Sequence, residues 1–262
     1  MRYGLQLRTL EAFADPRETV RVARAAEEAG WEALLVWDHL RWAATGEASA
    51  DPWVTLGACA AVTSRMLLGT AVTPVARRRP QMLAQELATL SLASGGRVVF
   101  GAGLGGRSGE FEAFGETGDE RVRAAMLDEG LSVLAALLSG EPVDHEGEHY
   151  RVDGVTLAPV PLRKIPFWIG GSSPRALRRA ARWDGWLAAG SDDERNTLTP
   201  TDVAQKIHGL GIADVCFIGY SDQADLPAYA AAGVSWWIEN VRGDPADVLD
   251  RVRRGPPGET LP

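Results

Sequence analysis

Eight short apolar runs, each followed by a stretch with helical caps and helical period, recur along the 262 residues, and no other property restricts the fold as much. The runs fall at residues 3–7, 33–37, 66–72, 98–101, 166–169, 185–189, 214–219 and 235–240. They are continuously apolar rather than alternating, as strands buried on both faces are. The helical stretches announce themselves. Asp15-Pro16, Asp51-Pro52, Thr199-Pro200 and Asp244-Pro245 each set a capping side chain before a proline at the first helical position. Gly30, the pair Gly95-Gly96 and Gly140 stop three of the helices. Strand–helix alternation predicts a parallel sheet, and eight such units in about 250 residues predict an α/β fold of the (β/α)8 TIM-barrel type. An open doubly wound sheet is the competing arrangement. No stretch reads as a second domain, so a single barrel over 1–262 is expected, with a short β-hairpin inserted at 144–152 before the fifth strand.

The charge balance, 27 Lys+Arg against 35 Asp+Glu for a net −8, repels nucleic acid and anionic membranes, so neither is an expected partner. The two cysteines, Cys59 and Cys216, sit in apolar surroundings and read as buried thiols. Met1-Arg2-Tyr3 runs straight into the first strand without a signal peptide, and no apolar run reaches the length of a membrane span; a cytoplasmic protein is expected.

A barrel carries its active site on the loops after the strand C-termini. Those loops hold Arg8, Asp38, His39, Trp42, Thr73, Gly103, Gly171, Ser191, Tyr220, Glu239 and Asn240. The set lacks the histidine–carboxylate cluster of a hydrolytic metal site, so no metal is expected and a cofactor slot fits better. The fifth strand ends in Gly170-Gly171-Ser172-Ser173-Pro174-Arg175. Two glycines allow a sharp turn, Ser173 is placed as N-cap, and free N–H groups lie beside Arg175. Such a turn is either a phosphate or carboxylate cradle or a plain strand-to-helix turn. Glu239 ends the eighth strand, as a catalytic acid or as an orienting acceptor. Arg77-Arg78-Arg79 reads most simply as a solvated loop, though it could reach a polyanionic cofactor tail. Trp37, Trp168, Trp186, Trp236 and Trp237 read as packing.

Two motifs mislead. His145-Glu146-Gly147-Glu148-His149 spells H-E-x-x-H, but Gly147 breaks the required helix and the flanks are strand-like, so a hairpin turn is expected. Gly101-Ala102-Gly103-Leu104-Gly105-Gly106 spells G-x-G-x-x-G, but residues 125–128, where a dinucleotide fold needs an acid ending the next strand, are mid-helix. These glycines instead allow a flat ring to lie against the backbone.

The chain resembles the luciferase-like monooxygenase superfamily of flavin- and deazaflavin-dependent (β/α)8 oxidoreductases. The resemblance rests on Glu27-Glu28-Ala29-Gly30-Trp31 through Trp37-Asp38-His39, on Thr63-Ser64-Arg65-Met66 through Val72, on Ser94-Gly95-Gly96-Arg97, and on Gly101-Ala102-Gly103. It continues through Gly140-Glu141-Pro142 to His149-Tyr150, and through Ile169-Gly170-Gly171-Ser172-Ser173-Pro174 to Asp184-Gly185-Trp186. It implies FMN or coenzyme F420 as cofactor, a small organic substrate, and a homodimer packed through Trp53, Leu56 and the helix over 80–92. Gly170, Gly171, Ser172 and Ser173 would hold the cofactor phosphate, and Thr70, Ala71 and Val72 would back the central ring, across a cis peptide bond between Ala71 and Val72. Asp38, His39 and Trp42 match the Asp-His and following Trp placed over the reactive face, with one residue fewer between His39 and Trp42 than is usual. His39 would donate or accept the proton. Some deazaflavin dehydrogenases carry a glutamate just after the fourth-strand glycines; here Gly106 stands near that point and Glu110 beyond it, which argues against sugar-phosphate dehydrogenation. The alternatives are a barrel that binds flavin without catalysis and a non-redox phosphate-binding TIM-barrel enzyme.

Overall fold

The apolar runs become strands of one closed ring in a computed structural model that describes residues 1–42, 47–106 and 108–258. In chain order the strands are β1 (Arg2–Leu7), β2 (Ala33–Val36), β3 (Leu67–Thr70), β4 (Thr73–Pro74), β5 (Val98–Gly103), β6 (Val143–Glu146), β7 (Arg151–Val155), β8 (Phe167–Gly170), β9 (Gly185–Ala189), β10 (Asp214–Gly219) and β11 (Trp236–Val241). The helices are α1 (Pro16–Glu28), α2 (Pro52–Ala60), α3 (Pro80–Ser94), α4 (Ser108–Glu112), α5 (Glu120–Leu137), α6 (Pro174–Ala180), α7 (Pro200–Ile207), α8 (Leu226–Ala231) and α9 (Pro245–Arg253). Parallel pairing runs β3–β2–β1–β11–β10–β9–β8–β5, and β5 returns to β3 to close the barrel. The third barrel strand is split: β3 stops at Thr70, the Ala71–Val72 peptide is cis as the resemblance implied, and β4 resumes the pairing with β5.

Capping chemistry sets the helix starts. Asp15, Asp51 and Ser173 each accept a backbone N–H of the first turn, and Thr199 and Asp202 cap reciprocally; all four caps precede a proline. Asp244 precedes Pro245 in the same way but makes no side-chain cap.

Strand period then sorts side chains into two layers. Ala33, Leu35, Val99, Trp168, Leu187, Cys216, Ile218, Trp236 and Ile238 fill the barrel interior. Their neighbours Leu34, Val36, Phe100, Phe167, Trp186, Phe217 and Trp237 pack outward under the helices. Burying each such side chain stabilises the fold by about 1.5–3 kcal/mol. Both cysteines are buried, and burial pushes the Cys59 thiol up to about 12. Two glycines let the third and fourth barrel strands approach. A Cβ on Gly69 would lie 2.1 Å from Val99 O, and one on Gly101 would lie 1.8 Å from Thr70 O. The fourth-strand glycine at 101 therefore serves strand packing rather than a ring.

The insertion before β8 is the expected hairpin, β6 against β7. His145 and His149 lie on it, tied to α5 through Glu129, whose carboxylate meets His145 Nε2 at 2.9 Å and accepts the N–H of His149 and Tyr150. The helical face that H-E-x-x-H requires is not formed.

Candidate active site

The layer alternation continues past the end of β2. Trp37 and His39 turn toward the barrel mouth, and Asp38 points to the other side. Asp38 is buried, and both its oxygens are engaged: Arg77 Nη2 donates to Oδ1 at 2.7 Å, and Arg78 donates to Oδ1 and Oδ2 at 2.9 Å. Arg77 and Arg78, expected in a solvated loop, are instead 5% and 17% exposed in their side chains, because the turn after β4 folds them beneath β2. A buried carboxylate needs such pairing, and the two guanidiniums supply it.

Arg77 also lies 2.9 Å from Glu110 Oε1, joining Asp38 to a second buried carboxylate. Glu110 stands on α4, a helix that no sequence signal announced, and only 3% of it is exposed. Its Oε2 is 2.9 Å from His39 Nδ1, and its Oε1 accepts the N–H groups of Leu40 and Arg41. Burial alone would raise the Glu110 pKa; the His39 bond, the Arg77 charge and the Leu40 N–H outweigh it and hold the carboxyl below its ordinary value. An ionised Glu110 accepts from Nδ1, so the neutral imidazole keeps its lone pair on Nε2. Trp42 and Trp37 pack at 5.0 Å and 5.2 Å from the His39 ring and 4.6 Å from each other, an aromatic wall around it.

On the adjacent wall, next to the end of β2, stands the cis-linked Ala71-Val72, whose Ala71 N–H donates to Val36 O at 2.9 Å. Ala71 O accepts from Gln6 Nε2 at 3.2 Å, and Val72 packs where a Cβ on Gly103 or Gly170 would be, 2.4 Å and 2.9 Å from its methyls. Thr70 is wholly buried and donates to Gly101 O at 2.9 Å, so its side chain belongs to the wall. Beyond β8 the chain turns at Gly171, with φ +108°, a conformation that favours glycine. Trp186 Nε1 donates to Gly171 O at 2.7 Å, Lys206 Nζ to Ser172 O at 3.1 Å, and Ser173 Oγ caps α6. The N–H groups of Gly171, Ser172 and Ser173 have no acceptor among the described residues. Arg175 is exposed.

Glu239 is not brought to the mouth. It shares a face with Trp237, whose Nε1 donates to it at 3.0 Å, and Arg251 of α9 lies 3.2 Å away. Its buried carboxylate ties β11 to the helix layer and also accepts the N–H of Ser221. The inward neighbour is Asn240, which lines a mouth cavity of about 520 Å³ together with Gln6, Arg8, Trp37, Trp42 and Ile218. Asn240 was already among the strand-end residues named from the sequence; counting alternately from Trp236 would have shown that it, and not Glu239, faces inward. A cavity of about 590 Å³ lined by Lys164, Ile165 and Trp183 lies at the start of β8, the barrel end that does not carry chemistry.

The family model for luciferase-like monooxygenases matches residues 3–215. The chain belongs to this family. Among its relatives, an F420-dependent glucose-6-phosphate dehydrogenase of Nakamurella multipartita is 40% identical over 192 residues, 71% of this chain and 56% of that protein. An F420-dependent hydroxymycolic acid dehydrogenase of Mycobacterium tuberculosis is 36% identical over 65% of this chain and 48% of that protein. The chain thus spans about half the length of the curated relatives it matches. An F420-dependent secondary alcohol dehydrogenase, solved with an F420–acetone adduct, superposes with TM-score 0.80 over 98% of both chains at 18% identity, a likeness of fold.

Proposed function

We propose that this family member is an oxidoreductase that uses the deazaflavin F420, with His39 moving a proton between the substrate and solvent. The observation that carries the reading is the His39–Glu110 pair at the barrel mouth, in a chain 40% identical to an F420-dependent relative. The residues fit such a cofactor: three unpaired N–H donors at 171–173 beside the Lys206 ammonium suit its phosphate, and Ala71-Val72 presents a small side chain and backbone to a ring. Gly103 and Gly170 leave room for Val72 in that wall.

When bound, F420 supplies the acceptor or donor for hydride. The protein contributes position and charge. Glu110 holds Nδ1–H and so presents the basic Nε2 of His39, which takes the proton of a substrate hydroxyl, or returns it in the reverse direction. Arg77 keeps Glu110 ionised, and Asp38 and Arg78 keep Arg77 in place; Asp38 acts through them as a positioning residue. Trp37 and Trp42 keep water from the imidazole. Two copies associate through α2 and α3; Trp53 and Leu56, expected to make this contact, are instead buried in the core, and Val54, Met82 and Leu92 are the exposed apolar residues of these helices, with Val54 lining a groove of about 360 Å³.

The test is titration with F420 and with FMN, followed by absorbance and fluorescence. Saturable F420 binding is expected, weakened about tenfold or more in Ser172→Asp, where a carboxylate meets the phosphate. Binding of FMN alone, or equal F420 affinity in the variant, contradicts the reading.

A further inference from the structure

The part of the mouth that runs from β2 through β1, β11 and β10 to β9 is aromatic in its wall and carries three acids at its rim. Trp37, Trp42 and Ile218 form the wall, and Asp192, Asp193 and Glu194 follow β9. Asp192 accepts the N–H groups of Glu194 and Arg195, both at 2.8 Å, which hold it below the ordinary carboxylate value. Arg8 is the one cation among the described lining residues, and it is engaged twice: it pairs with Asp193 and stacks on the Trp37 ring at 4.4 Å. Arg242 stacks on the Tyr220 ring at 5.1 Å and reaches the same Asp193 at 3.4 Å. Two guanidiniums thus converge on one carboxylate, and the positive charges of Arg195 and Arg242 act on Asp192, so the acids of the rim are balanced by arginines. Each of these guanidiniums already faces a carboxylate, so a phosphate dianion finds no net positive charge here, whereas a neutral oxygen can still accept from Arg8 Nε.

Two buried side-chain atoms in this part of the mouth lack a partner among the described residues: Arg8 Nε, a donor, and Asn240 Oδ1, an acceptor. Asn240 is 8% exposed and lines the cavity. Its amide orientation follows from its neighbours. Tyr220 Oη gives its proton to Asp192 O at 3.0 Å, so it accepts from Asn240, whose Nδ2 lies 3.0 Å away; Ser191 Oγ is at 3.4 Å from the same nitrogen. Asn240 Oδ1 is left buried with no donor. An acceptor buried without a partner carries its desolvation penalty until a ligand supplies the donor.

From this geometry we infer that the substrate is a phosphate-free molecule, neutral or cationic, whose hydroxyl or amine N–H is received by Asn240 Oδ1, and that Asn240 is a specificity-determining residue. The inference rests on the reading of the mouth as an oxidoreductase site and narrows its substrate. It separates this chain from the relative named for glucose 6-phosphate.

Three probes on one skeleton test it: cyclohexanol, cyclohexylamine and cyclohexyl phosphate, titrated by calorimetry and saturation-transfer NMR into the full chain loaded with F420. The alcohol or the amine is expected to bind, and the phosphate ester about tenfold or more weakly. Asn240→Leu should lose about tenfold or more for the donor probes, whereas Asn240→Asp, which keeps an acceptor, should hold the amine. Unchanged F420 affinity in both variants reports an intact fold. Tighter binding of the phosphate ester, donor binding unaffected by Asn240→Leu, or no binding of either donor probe overturns the inference. Failure of the wild type to bind F420 refutes the oxidoreductase reading instead, and the same titrations on the unloaded chain then decide the pocket's preference by themselves.

Discussion

His39 owes its proposed chemistry to a chain of contacts that runs outward from the mouth: Glu110 on its Nδ1, Arg77 on Glu110, and Asp38 and Arg78 behind them. The members of this chain should fail differently. His39→Gln should lower turnover of any alcohol that the wild type oxidises by about 10²–10⁴-fold with F420 affinity kept, as for removal of a general base. Asp38→Asn leaves two buried guanidiniums short of a counter-charge and should cost about 3–5 kcal/mol of stability in urea denaturation. A cost under 1 kcal/mol with turnover lost would instead put Asp38 in the chemistry. At this scale the sequence was legible wherever a residue type has one plausible setting. His39 at a strand end and Ser173 before Pro174 are such cases. It was misleading where strand period decides: Glu239 has the chemistry of an acid, but Trp237 and Val241 on either side of it pack outward, and so does it. Arg77 and Arg78 were misjudged because nothing local shows that a turn will fold them under a carboxylate 39 and 40 residues away.

Elements were legible through their ends. Asp-Pro, Ser-Pro and Thr-Pro pairs mark helix starts by a mechanism that needs no tertiary context, and all but Asp244 make the cap. Helix α4 escaped notice because it is five residues long and has no cap–proline signature, yet it places Glu110. The end of α1 shows how a single carboxylate joins elements. Glu27 accepts the N–H groups of Ser64, Arg65 and Met66 and the Ser64 hydroxyl, and so fixes the turn that leads into β3. Burial works against its charge, but these donors lower its pKa from 4.5 to about 2. The folded state therefore binds the proton less readily than the unfolded chain. This stabilisation is complete above pH 4.5 and fades as pH falls toward about 2. Glu27→Gln should cost about 1–3 kcal/mol at pH 7 in denaturant melts, with the gap to the wild type closing over that acid window. A gap independent of pH would show that the carboxylate charge contributes nothing.

The whole barrel was the most legible scale, because eight continuous apolar runs leave few other ways to bury both strand faces. What counting could not give is how the mouth is divided: a wall of backbone and small residues at Ala71-Val72, a histidine box at Trp37 and Trp42, and a rim of acids balanced by arginines after β9. Association belongs to this scale as well. If α2 and α3 form the dimer face, Val54→Lys with Met82→Lys should turn a dimer into a monomer in light scattering at micromolar concentration, with F420 binding kept; a monomeric wild type would contradict the proposed pairing. The proposal as a whole requires one cofactor position. A crystal structure of the protein soaked with F420 tests it most directly. The account predicts the phosphate on the N–H groups of 171–173 and the ring laid against Ala71-Val72 with its free face toward His39. A ring bound outside the mouth, or one whose reactive face is turned away from His39, would contradict it.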